Sequence, residues 1–66
     1  MNAQLEFKIF CLENYKQANN MKGRETFRLF QKYGVFDYLQ KHYDVLHSTG
    51  EDYLIKDINQ FIQVRS

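Results

Sequence analysis

The stretch Lys32–Gly50, KYGVFDYLQKHYDVLHSTG, decides the fold, because it carries one helical stripe between two glycines. Val35, Tyr38, Leu39, His42, Val45 and Leu46 recur at three- and four-residue intervals and share one side of a helix. Phe36 and Tyr43 flank that side, and Asp37, Gln40, Lys41 and Asp44 lie opposite it. Gly34 ends the preceding helix, since glycine takes the left-handed conformation there without a Cβ penalty. At the far end the residues leave two readings open. Either Gly50 closes this helix, or Ser48 with Glu51 forms a capping box that opens the next one. His42 sits at the centre of the stripe and reads as a core histidine whose ring nitrogen must find an acceptor. His47 reads as a capping residue near the helix C-terminus, where the dipole favours a protonated imidazole.

Outward from this stretch the chain continues as helix. Before it, Ala3–Ala18 places Leu5, Phe7, Ile9, Cys11, Leu12 and Tyr15 over an arc of about 200° at 100° per residue. That width predicts a helix covered on more than one side, with Asn2 as its N-cap and Phe10 near its wet edge. A second helix, about 22–33, collects Phe27, Leu29, Phe30 and Tyr33 on one face and Arg24, Arg28, Gln31 and Lys32 on the other, with Asn20 as a candidate N-cap. After Gly50, Leu54, Ile55, Ile58, Phe61 and Ile62 fit one helical face and no strand face, so a last helix spans about 51–64. The reading is a single all-α domain over residues 1–66, a compact bundle of four short helices at about 3–18, 22–33, 35–47 and 51–64. Its predicted core is Leu12, Phe27, Phe30, Leu39, His42, Leu46, Ile58 and Phe61.

Composition bounds the function. The 66 residues are 44% hydrophobic and 17% aromatic, too apolar for a disordered chain and too few for a generous core. A lone cysteine, Cys11, excludes an internal disulfide and, with no secretory start, fits a reducing cytoplasm. No run of about 18 apolar residues is present to cross a membrane. The two histidines, five apart, diverge by about 140° on a helix, so no metal or cofactor site is expected. Residues 1–34 carry six Lys or Arg against three Glu, giving +3, whereas residues 35–66 carry three against five acids, giving −2.

Motifs for catalysis are missing: there is no glycine-rich phosphate loop, HExxH, GxSxG or CxxC. Cys11, within an apolar arc and without a cationic neighbour, reads as an inert thiol. The second and third helices meeting at Gly34 invite comparison with a DNA-reading helix-turn-helix. Against it, the helix that would enter the groove carries Asp37 and Asp44, and the cations sit on the helix before it. A small DNA-binding regulator is therefore the alternative, and a non-catalytic protein-binding module the preferred reading, as a homodimer or part of a heteromer. Phe10, Phe36 and Tyr43 are the candidate partner contacts.

The elements FCLE (10–13), KYGVFDYL (32–39), YDVLHSTG (43–50) and DINQFI (57–62), with LEFKIFCLENYK near the start, carry a likeness over nearly the whole chain. In them the sequence resembles the small bacterial domain-of-unknown-function family 3791. The resemblance implies a short helical cytosolic protein, often encoded beside a larger protein that looks like an ADP-ribosyltransferase-type toxin. It thus implies an accessory or antitoxin-like partner and assigns no catalytic residue. On that footing the acidic side chains Asp37, Asp44, Glu51, Asp52 and Asp57 are expected to complement a basic cleft on such a partner.

Overall fold

The computed structural model describes residues 2–66, and among them only helices, turns and loops occur. The order is α1 (Ala3–Ala18), α2 (Gly23–Lys32), α3 (Val35–Lys41), α4 (Tyr43–Leu46) and α5 (Glu51–Arg65). The all-α reading holds, with the expected third helix delivered as two pieces. Helix α1 packs against α2, α3 and α5, and α3 bridges α2 and α5.

Local chemistry sets each boundary. Asn2 caps α1 as expected, its Oδ1 accepting from the backbone N–H groups of Gln4 at 3.0 Å and Leu5 at 3.2 Å. Asn20 does not cap α2. It takes a left-handed conformation with φ 54°, which Asn tolerates, and so turns the chain, leaving Lys22 as the capping residue. Gly34, with φ 69°, ends α2 and at once begins α3, which produces the sharp corner. Gly50 neither closes a helix nor sits inside a capping box: it is the extended N-cap of α5, while Ser48 Oγ donates back to the Val45 carbonyl at 3.1 Å.

The inner face of α1 contributes Phe7, Cys11 and Tyr15; α2 contributes Thr26 and Phe30; Val35, Leu39 and Leu46 follow, and α5 adds Leu54 and Ile58. Of the predicted core, Phe30, Leu39, Leu46 and Ile58 are buried, and Leu12 and Phe61 pack against the cluster part-covered. Two members are corrected. His42 is exposed, because the helix breaks at its position, with φ −108° and ψ 22°. That break turns α4 so that Leu46 points inward while Val45, also expected inside, is 67% exposed. Phe27 is likewise 46% exposed, because the inner stripe of α2 runs through Thr26, Phe30 and Tyr33. Thr26 takes the central place because its hydroxyl is satisfied within the helix, donating to the Lys22 carbonyl at 2.8 Å. Nor is α1 covered on more than one side: Leu5 and Ile9 are 53% and 52% exposed.

The two boundary glycines have opposite expected responses to substitution. At Gly34 a Cβ meets nothing within 4 Å, so Gly34→Ala is disfavoured by its positive φ alone, a cost of about 1 kcal/mol. At Gly50, whose φ is −70°, Gly50→Ser supplies a capping oxygen and stiffens the unfolded chain, a gain of about 0.5–1 kcal/mol. Thermal melts followed by circular dichroism check this: a domain of this size shifts by about 4–8 °C per kcal/mol, downward for the first variant and upward for the second.

Candidate functional site: an apolar groove

Three aromatic contacts connect the core to the surface. Tyr15 meets Phe30 edge-on with centroids 5.3 Å apart, Phe30 meets Phe36 at 5.4 Å, and Phe36 meets Phe27 at 5.3 Å. The chain of rings starts in the core and ends on the outside of α2. Beside its outer end lies a groove of 260 Å³ between α1, α2 and α3. Leu5, Ile9 and Leu12 of α1 form one wall, Phe27 and Gln31 of α2 the other, and Phe36 and Lys8 complete the lining.

The charges beside the groove differ between its walls: Arg24 and Arg28 flank Phe27 on α2, whereas Glu6 and Glu13 flank Ile9 on α1. Lys8 donates to Gln40 Oε1 and has no carboxylate partner. Arg24 and Arg28 lie along the outer side of α2, exposed, and among the described residues the one ion pair joins Lys16 to Glu13 at 3.0 Å. Among the described residues neither Arg24 nor Arg28, the cations nearest Phe27 along its helix, forms an ion pair.

The three contact residues expected from sequence separate. Phe36 lines the apolar groove. Phe10 and Tyr43 line a second, more polar hollow of 490 Å³ with Phe7 and His47. Phe10 lies near the wet edge as expected, 46% exposed, and Phe36 and Tyr43 are half-buried on the flank of the core. The spacing of Leu5, Ile9 and Phe27 predicts a covered face, and the structure leaves all three about half-exposed at the surface.

Of the potentially reactive groups, Cys11 is sealed and His47 is engaged, whereas His42 is exposed. Cys11 is 2% exposed, and burial pushes its thiol up to about 12, so the thiolate needed for nucleophilic or metal chemistry is suppressed. His42 lies instead in a hollow with Tyr38, Asp37, Lys41, Phe61 and Arg65, which Cys11 does not line. His47 stacks on Tyr43 with centroids 4.5 Å apart, and its Nδ1–H donates to the Tyr43 carbonyl at 2.6 Å, the expected helix-terminal role. No group of three or more His, Cys, Asp or Glu side chains is placed to hold a metal ion among the described residues. No described helix is long and apolar enough to cross a membrane.

The Tyr38 hydroxyl donates to Asp57 Oδ2 at 2.6 Å, tying α3 to α5. Desolvation, then the bond to Asp57 and its negative charge, raise the Tyr38 pKa to about 12. The phenol is favoured in its neutral form in the folded state, so the stabilisation is fully present below pH 10 and is lost as the pH rises from about 10 to about 12. Melting temperatures taken between pH 9 and pH 12 should fall for the natural sequence, and fall less steeply for Tyr38→Phe; parallel curves for the two would show that this bond does not couple stability to pH.

Fold and groove together define a small all-helical domain with an apolar groove open between α1, α2 and α3. The chain belongs to the family described as protein of unknown function (DUF3791), whose model matches residues 6–65. No curated protein and no solved structure matches it.

Proposed function

We propose that this domain is a non-catalytic protein-binding module that docks a partner in the groove between α1 and α2. The observation that carries the reading is the half-exposure of Leu5, Ile9 and Phe27 side by side on a domain this short of core. Completing the burial of three such side chains is worth about 3 kcal/mol, at roughly 1 kcal/mol apiece. An isolated domain of this size has reason to cover apolar surface and little reason to display it.

The particular partner we infer is an ADP-ribosyltransferase-type toxin, with this chain as its accessory or antitoxin-like companion. Support comes from the sequence resemblance and from an acidic second half suited to a nucleotide-phosphate cleft. Of the five acids, Asp37, Asp44, Glu51 and Asp52 are exposed and available, whereas Asp57 is engaged by Tyr38. Co-expression with such a transferase should give a complex that survives purification and transfers ADP-ribose more slowly than the transferase alone. Ile9→Asp or Phe27→Asp should weaken the complex at least tenfold, a loss of about 1.4 kcal/mol, while leaving helicity intact. A transferase that neither co-purifies nor changes rate removes the partner assignment.

A second reading, a small DNA-binding regulator, draws support from the unpaired cations of α2. It is disfavoured because α3, in the position of a reading helix, has 7 residues and carries Asp37 toward any phosphate backbone. Titration against duplex DNA at two salt concentrations separates the two. Submicromolar, salt-sensitive binding favours the regulator, and weak binding with a shallow salt slope favours the protein-binding module.

A further inference from the structure

The groove has a length, a chemistry and a charge, and together they specify what fits it. Leu5, Ile9 and Leu12 occupy i, i+4 and i+7 on α1, a row about two helical turns or 10 Å long. Across from them Phe27 and Gln31, at i and i+4 on α2, make a second row. Two helical ridges with a furrow between them accept a third helix through its own i, i+3 or i+4, and i+7 side chains. An extended peptide finds no free strand edge here, since the described residues contain no strand.

Charge selects among possible helices. Lys8 lies in the lining, and Arg24 and Arg28 follow Gln31 outward around α2, at about 60° and 100° from Phe27 in helical projection. None of the three forms an ion pair with a carboxylate among the described residues. A second copy meeting the groove with its own groove offers no acid in the lining to face Lys8.

We infer that the groove receives an acidic amphipathic helix of the partner, its apolar row between Leu5, Ile9 and Phe27 and its Asp or Glu side chains toward Lys8, Arg24 and Arg28. This rests on the protein-binding reading and deepens it by naming the partner's docking element. The basic side of α2 orients the incoming helix, and the apolar rows hold it.

A fluorescein-labelled synthetic peptide of about 15 residues, with Leu at helical i, i+3, i+4 and i+7 positions and Glu on its flanks, tests the inference by fluorescence anisotropy. It should bind at least tenfold more tightly than the same peptide with Lys in place of Glu, with a gap that narrows at high salt. Arg24→Glu combined with Arg28→Glu should reverse the preference, and Ile9→Asp should remove binding of both peptides; circular dichroism confirms that each variant, altered only at exposed positions, is folded. Equal affinity for the two peptides, or binding of neither, overturns the inference. So does a dimer in sedimentation velocity that Ile9→Asp dissociates, since the occupant would then be a second copy. The transferase complex described above is measured separately: if it forms and Ile9→Asp weakens it while the peptides fail, the docking element is wrong and the protein-binding reading stands.

Discussion

Phe30 is the contact on which the rest depends. It is fully buried, and its edge-on meetings with Tyr15 of α1 and Phe36 of α3 join three helices through one side chain. Truncating a buried Phe costs about 3–5 kcal/mol, comparable with the whole stability of a domain this small. Aromatic pairs prefer offset or edge-on geometry, so the position of Phe30 also fixes the angles of its neighbours. Phe36, held against Phe30 on one side, is half-covered and meets Phe27 on the other. The groove is thus the outer end of the same ring contacts that make the core.

Helix α5 closes the opposite side and is fastened by polar contacts as well as by Leu54 and Ile58. Tyr15 donates to Asn59 at 2.7 Å and Tyr38 to Asp57 at 2.6 Å, so α1 and α3 are each tied to α5 through a phenol whose ring packs against its aromatic neighbours. Phe61 stacks on Tyr38 at 4.2 Å, and Arg65 lies 3.6 Å from the Phe61 ring centre. A tyrosine serves both purposes at low rotamer cost, which is why a chain with five of them and no disulfide can order a fifth helix. These fastenings leave α5 committed to the fold, whereas the outer stripe of α1 is uncommitted.

Helices and their ends were legible because the signals are local. Asn2 and Gly34 act through hydrogen bonds and φ values that involve a few neighbouring residues, and periodicity alone placed α1, α2 and α5 to within a residue or two. What periodicity does not carry is how much of an apolar arc the rest of the chain can cover. The wide arc of α1 was seen, but a 66-residue chain covers only the side bearing Phe7, Cys11 and Tyr15, and Leu5 and Ile9 remain outside. Thr26 is not legible as a core residue, because a hydroxyl reads as polar until its intrahelical acceptor, the Lys22 carbonyl, is known. The break at His42 is hidden for a related reason: the stripe through residues 35–46 is continuous in sequence, and only packing shows that Leu46 reaches the core when the helix is interrupted. Of the candidate contacts, Phe36 fell in the groove, while Phe10 and Tyr43 went to a different hollow, since spacing along a helix does not say which neighbour closes over it.

The most direct test of the account is hydrogen–deuterium exchange of the domain alone and within a purified complex with the proposed transferase partner. The account predicts slowed exchange along residues 5–12 and 27–31 on complex formation, with the later turns of α5, residues 57–65, changed little. Unchanged exchange over residues 5–12, with new protection confined to α5 or to residues 42–49, would contradict the claim that the open side of α1 is the surface this protein uses.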